Sequence, residues 1–136
     1  MPDDIRDILT TTKRIALVGA SNKPVRASYG VMEFLLAQGY DVTPINPGLA
    51  GQEILGKKVV ATLEEAAPLD MVELFRNAAD VAEPVNEAIR LGAKTIWMQL
   101  GVINEDAAAA AREAGLRVVM DHCPMIEIPR LGLEKR

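Results

Sequence analysis

The segment Ile15–Gly30, IALVGASNKPVRASYG, has the pattern of a buried β-strand, a loop and the first turn of a helix. Four apolar residues lead directly into Gly19. A dinucleotide fingerprint places three glycines within six residues, but the next glycine here is Gly30. Lys23 and Arg26 lie between the two glycines. The segment therefore predicts a longer, cationic loop after the first strand, in place of a compact dinucleotide turn.

Three later segments repeat the order of helix, glycine and strand: FLLAQGYDVTPIN, EAIRLGAKTIWMQ and AREAGLRVVMD. Their glycines, Gly39, Gly92 and Gly115, stand where a helix ends in a left-handed residue. The strand segments are mostly apolar and do not alternate with polar residues, as in a parallel sheet covered by helices on both faces. We predict a single doubly wound α/β sheet, Rossmann-like, in the strand order 3-2-1-4-5-6. Its ligand crevice would lie at the switch point between the neighbouring first and fourth strands, beyond their carboxyl ends.

Four polar residues mark predicted helix starts. Ser28 is expected to cap a helix running to about Gln38, and Asp80 one that holds Pro84 in its first turn. Thr62 and Glu65 have the spacing of a capping box. Asn104 is expected to open the alanine-rich helix 105–114. A short strand is predicted at 58–60.

The chain of 136 residues is predicted to form one domain. We expect a short N-terminal helix at 4–9, a core at 13–121 and a C-terminal tail at 122–136 that closes over the sheet edge or packs on a second subunit as a homodimer. The net charge of −4 argues against a nucleic-acid partner. The acidic start has no secretory signal pattern, no apolar run has the length of a membrane span, and Cys123 is the only cysteine. A cytoplasmic protein is the simplest interpretation.

The first loop favours an anionic ligand. Gly19, Ala20 and Ser21 are small enough for close backbone approach, Lys23 and Arg26 add charge, and the following helix start attracts phosphate. No acid follows the second strand to hold an NAD ribose; that strand ends in Asn46 and Pro47. NADP stays an alternative, whereas the absence of G-K-[ST] excludes a Walker loop.

Five elements occur together in this order: Gly19-Ala20-Ser21, Arg26, Asn46-Pro47, Trp97-x-Gln99-x-Gly101 and Cys123-Pro124. In this combination the chain resembles the small, stand-alone CoA-binding domain proteins of bacteria and archaea. That family is similar to the CoA-binding domain of the succinyl-CoA synthetase α subunit. The resemblance implies a Rossmann-like fold that binds coenzyme A, or an acyl-CoA, through its 3′-phospho-ADP portion.

The same resemblance implies roles for individual residues. Gly19 to Ser21, Lys23, Arg26 and Ser28 would line the phosphates, and Asn46 and Pro47 would border the adenosine. Phe75 and Arg76 would lie beside the diphosphate or the pantetheine arm, and Gln99 would form a polar wall. Archaeal relatives often have a proline pair where this chain has Arg76-Asn77, and a cation at this position is compatible with phosphate.

No catalytic group or metal-ligand set is predicted. His122 and Cys123 are adjacent and should point to opposite sides, so we expect a surface histidine and a small buried cysteine; a mixed disulfide between Cys123 and CoA is a secondary hypothesis. Trp97 is expected in the core. Binding without catalysis is the leading interpretation. A thioester-handling enzyme and a nicotinamide-nucleotide sensor are the alternatives.

Overall fold

The computed structural model describes residues 2–135, with side chains from Asp4 onward. The strands are β1 (Arg14–Val18), β2 (Asp41–Ile45), β3 (Glu53–Ile54), β4 (Lys57–Lys58), β5 (Met71–Leu74), β6 (Thr95–Met98) and β7 (Arg117–Val119). The helices are α1 (Pro2–Thr11), α2 (Ala27–Ala37), α3 (Ala82–Arg90), α4 (Glu105–Glu113) and α5 (Pro124–Arg130).

Five strands form one parallel sheet in the order β2-β1-β5-β6-β7. The predicted doubly wound fold is confirmed, including the central pairing of the first strand with the strand at Met71. One apolar cluster packs α3 and α4 on one face of the sheet, and a second packs α1, α2 and α5 on the other. The carboxyl ends of the strands therefore meet at a single edge, where the chain leaves β1 and β5 in opposite directions.

The predicted third strand is reduced to a single bridge. Lys57 and Lys58 pair instead with β3 in a short antiparallel hairpin, and only Val60 joins the main sheet, through a parallel bridge to Ile45. Two adjacent exposed lysines cannot be buried on both faces of a covered sheet, which explains why the run does not extend along β2.

The predicted helix starts were right at two positions. Asn104 caps α4, with its Oδ1 accepting from the Ala107 N–H at 3.0 Å. The carboxylate of Glu65 accepts from the Thr62 N–H at 2.9 Å, which forms the capping box, but on a single 3₁₀ turn at Glu64–Ala66.

The predictions for Ser28 and Asp80 as caps are wrong. Arg26 is the extended residue before α2, so Ser28 already lies within the first helical turn. Asp80 ends a 3₁₀ turn at Ala78–Asp80, and Val81 precedes α3 without a capping side chain.

Both ends of the chain contain more helix than predicted. The N-terminal helix is longer than 4–9, and the tail forms α5, which starts at Pro124, where a proline is favoured. Arg6 Nη2 donates to the Leu131 carbonyl at 3.1 Å, and the Lys135 N–H donates to Gln38 Oε1 at 2.6 Å. These bonds join the end of the chain to α1 and to the carboxyl end of α2. None of the helices within 2–135 has the length and apolar character needed to cross a membrane.

Candidate ligand-binding site

The turn after β1 is built on backbone hydrogen bonds to the end of β2. The N–H groups of Gly19 and Ala20 both donate to the Ile45 carbonyl, at 3.1 and 3.3 Å. Gly19 has a φ of +89°, a conformation that favours glycine. The chain thereby turns away from the sheet at the edge where α2 begins.

The loop that follows is ordered by its own short bonds. Ser21 Oγ accepts from the Lys23 N–H at 3.1 Å, and the Arg26 N–H donates to the Lys23 carbonyl at 3.0 Å. The side chains of Lys23 and Arg26 are exposed, and neither pairs with a carboxylate in the part of the chain that the structure describes. Two unpaired cations therefore stand beside the first turn of α2, where backbone N–H groups have no helical partner.

Asn46 joins the two loops that border this edge. Its Nδ2 donates to the Ala20 carbonyl at 2.8 Å, and its Oδ1 accepts from the Gly48 N–H at 2.9 Å. The side-chain amide of Asn46 therefore joins the turn after β1 to the turn at Pro47–Leu49. Sequence reasoning did not assign this structural role to Asn46.

The strand ends enclose three adjoining recesses. The first, of about 650 Å³, lies between the ends of β1 and β2 and the start of α3; the second, of about 550 Å³, lies under the cationic loop; the third, of about 420 Å³, lies between β5 and β6. Gly19 and Asn46 line the first two, Arg76 the first and third, and Phe75 the second and third. The three recesses thus adjoin along the carboxyl edge of the sheet, and together they are called the crevice below.

Every predicted site residue lines this crevice. The first recess contains Gly19, Asn46, Pro47 and Arg76; the second contains Gly19, Ala20, Ser21, Lys23, Arg26, Ser28, Asn46 and Phe75; the third contains Phe75, Arg76 and Gln99.

The wall opposite the cationic loop is acidic and was not predicted. Glu83 and Glu87 of α3 line the first recess together with Thr62. Glu87 is bonded to Arg90, with Oε2 accepting from Nε at 3.0 Å, and this bond lowers the pKa of the Glu87 carboxyl. Glu83 makes no ion pair with another described residue. The crevice is therefore cationic on the α2 side and acidic on the α3 side, a polarity set by tertiary packing that no local motif signals.

A fully buried acid lies just beneath the crevice. Glu73 in β5 has no exposed surface, and neither carboxylate oxygen has a hydrogen-bond partner among the described residues. Gln99, on the neighbouring strand, is 7% exposed, and its Oε1 is also buried without a partner. Sequence reasoning took Met71–Phe75 as a mostly apolar strand and assigned no role to Glu73.

The residues considered for catalysis have ordinary structural contacts. Trp97 is fully buried, as predicted, and its Nε1 donates to the His122 carbonyl at 2.9 Å. His122 is half-buried, with Nδ1 2.8 Å from the Met120 carbonyl oxygen. Cys123 is buried, as predicted, immediately before α5. Across residues 2–135, no three His, Cys, Asp or Glu side chains come together as metal ligands would.

In doubly wound α/β domains, a crevice at the switch point of the sheet is the usual place for a ligand. Residues 13–129 match the family described as the CoA binding domain, and the chain belongs to that family.

Named relatives agree with this assignment. The chain is 37% identical over 121 residues to the uncharacterized protein YneT of Bacillus subtilis, with 88% of each chain covered. A solved structure of a hypothetical protein from Pyrococcus horikoshii OT3 is 43% identical, with a TM-score of 0.91 and coverage of 96% of this chain and 92% of that one. The α subunit of the ADP-forming acetate–CoA ligase I of Pyrococcus furiosus is 27% identical over 128 residues. The match covers 83% of this chain and 28% of that subunit.

Proposed function

We propose that the protein binds coenzyme A or an acyl-CoA through its 3′-phospho-ADP portion, in the crevice at the carboxyl edge of the sheet. The observation that carries this proposal is the pair of exposed, unpaired cations, Lys23 and Arg26, beside the start of α2. Cations with free helix N–H groups form a site for phosphate oxygens. Membership of the CoA binding domain family supports the choice of ligand.

The polarity of the crevice suggests the ligand's orientation. Its phosphates would lie in the second recess, against Lys23, Arg26 and the small residues of the β1 turn. The adenosine would occupy the first recess, between Pro47 and α3, where the carboxylate of Glu83 is available to accept from an exocyclic amine. The pantetheine arm would leave past Arg76 into the third recess, towards Gln99.

A nicotinamide nucleotide is the second candidate ligand. The fold accommodates dinucleotides in general, but the loop after β2 begins with Asn46, whose amide is already bonded to Ala20 and Gly48. No carboxylate stands there to hold the ribose hydroxyls of NAD. The long loop between Gly19 and α2 also suits a ligand with three phosphates, as in CoA and NADP, better than NAD, which has two.

Titration calorimetry with CoA, dephospho-CoA, NAD and NADP tests the proposed ligand. We expect CoA to bind more tightly than dephospho-CoA by roughly tenfold or more, because the 3′-phosphate adds a charge-assisted bond. Tighter binding of NAD or NADP than of CoA would contradict the proposal.

We further propose that binding occurs without a reaction. His122 Nδ1 lies against the Met120 carbonyl and Cys123 is buried, and among the described residues only Glu83 and Glu87 of α3 bring carboxylates to the crevice. Incubation with acetyl-CoA, followed by a free-thiol assay, would detect a thioester-handling activity. A rate of thiol release above that of buffer, lost in Arg26→Ala, would favour the enzyme. The homodimer and the cytoplasmic location stay predictions.

A further inference from the structure

Glu73 occupies the centre of the sheet. It pairs in register with Leu17 of β1 and Trp97 of β6, both fully buried. Side chains in register on adjacent parallel strands share one face of the sheet, so Glu73 stands in an otherwise apolar row. A buried carboxyl with no partner is costly, and a native protein that keeps one calls for an explanation.

Gln99 stands one row closer to the crevice on the same face. It lies two residues beyond Trp97, and its backbone N–H donates to the Leu74 carbonyl at 3.3 Å, which continues the ladder of β6. Successive side chains alternate between faces, so Gln99 follows Trp97 on the face that Glu73 shares. Gln99 lines the third recess beside Phe75, and its Oε1 is the buried end of the amide.

The Glu73 carboxyl and the Gln99 amide oxygen can form a hydrogen bond with each other only when Glu73 is protonated. An ionised carboxylate and an amide oxygen both accept hydrogen bonds, whereas a neutral carboxyl has one O–H to donate. Burial raises the pKa of Glu73 well above its ordinary value, and the neighbouring Cys123 adds to the rise.

Titratable groups on the neighbouring helices α2 and α5 do not favour ionisation of Glu73. On α2, Tyr29 is half-buried and Glu33 is exposed. On α5, the carboxylate of Glu127 is bonded to Arg130. None of them contributes to the shift in the pKa of Glu73.

We propose that Glu73 is a positioning residue whose neutral carboxyl donates a hydrogen bond to Gln99 Oε1, directly or through one buried water. The bond turns the Gln99 amide nitrogen towards the third recess. Because Nε2 is purely a donor, the ligand group opposite Gln99 must be an acceptor, such as a carbonyl or phosphate oxygen. This last step rests on the proposed function of the crevice.

Two variants of similar shape test the proposal. Glu73→Gln keeps a donor but cannot ionise, and Glu73→Met keeps length but has no donor. We expect Glu73→Gln to retain CoA affinity within about twofold, and Glu73→Met to lose roughly three- to tenfold, the worth of one neutral hydrogen bond. Gln99→Ala should lose as much, and the double variant Glu73→Met with Gln99→Ala no more than either. Undiminished affinity in Glu73→Met, or additive losses in the double variant, would overturn the assignment.

A second measurement needs no ligand. In ¹³C NMR of the wild-type protein, the Glu73 carboxyl should keep its neutral chemical shift above the pH at which an ordinary glutamate ionises, and the Gln99 side-chain amide signals should persist in Glu73→Gln and move in Glu73→Met. A Glu73 carboxyl that titrates near its ordinary pKa, or unmoved Gln99 signals in Glu73→Met, would refute the positioning role. If wild-type protein does not bind CoA, the proposed function fails, while these spectra still decide the Glu73 bond.

Discussion

The Cα of Gly19 faces the backbone of Phe75 so closely that a Cβ on Gly19 would lie 2.1 Å from the Phe75 carbonyl oxygen and 2.9 Å from its carbonyl carbon. Sequence reasoning assigned this glycine to close approach by a ligand. The structure shows that the end of the neighbouring strand already requires it. Gly19 therefore allows the ends of β1 and β5 to approach each other closely at the edge where the crevice lies.

Gly19→Ala should destabilise the fold by roughly 2–5 kcal/mol, because it combines a strained positive φ with overlap against immobile backbone. Urea denaturation measures the change. Gly30→Ala is a matched control in α2, where a Cβ meets nothing within 4 Å, and it should stabilise by up to about 1 kcal/mol. Equal stability of the two variants would show that the turn after β1 relaxes freely.

Arg26→Ala should weaken CoA binding by roughly 1.5–3 kcal/mol, the loss expected for one charge-assisted bond to phosphate. The melting temperature should barely change, because the side chain is exposed and unpaired among the described residues. Arg112→Ala removes an exposed cation from α4, on the other face of the sheet, and is the control for net charge. If both variants bind CoA as the wild type does, Arg26 is an ordinary solvated loop residue.

Glu73→Gln should change how stability depends on pH. The pKa of Glu73 is raised in the folded protein, so the native state holds a proton that the unfolded chain releases above about pH 4.3. The free energy of unfolding of the wild type should therefore fall by about 1.4 kcal/mol per pH unit between that pH and the pKa of Glu73 in the folded protein. Glu73→Gln cannot ionise, so its stability should not show this fall. Urea titrations of both proteins between pH 5 and 8 give the difference directly. Parallel curves would mean that Glu73 reaches water or a counter-charge.

Cys123 should be unreactive in the folded protein. Its side chain is 4% exposed and covered at the start of α5, so alkylating reagents should label it only after unfolding. Intact-protein mass spectrometry after incubation with oxidised CoA should show no adduct, and Cys123→Ala should keep reversible CoA binding. An adduct on native protein that is absent from Cys123→Ala would instead revive the mixed-disulfide hypothesis.

Features with a local cause were predictable from the sequence. The helix-terminal glycines have positive φ, and Asn104 caps α4, because each depends on neighbours a few residues away. Helix α5 was missed because Pro129 interrupts its pattern, although the helix tolerates that proline near its end. Ser28 was misplaced by two residues, within the usual uncertainty of helix boundaries.

The candidate site also contains some features that the sequence predicts and others that depend on tertiary packing. The residues after β1, β2, β5 and β6 could be grouped in advance, because parallel strands bring their carboxyl ends to one edge. The acidic wall could not, since Glu83 and Glu87 face the crevice only through the docking of α3. Glu73 was missed for a different reason. Its apolar neighbours in β5 indicated a core strand, and Glu73 does lie in the core, as a fully buried acid.

The hydrogen bond from Lys135 to Gln38 has a practical consequence. It fixes the carboxyl end of the chain beside the end of α2, whereas the crevice lies at the helix's start. A fluorescent reporter or a sensor-chip anchor attached at Lys135 would lie about one helix length, ~16 Å, from the crevice. The domain can thus be immobilised through Lys135 with the crevice left facing the solution.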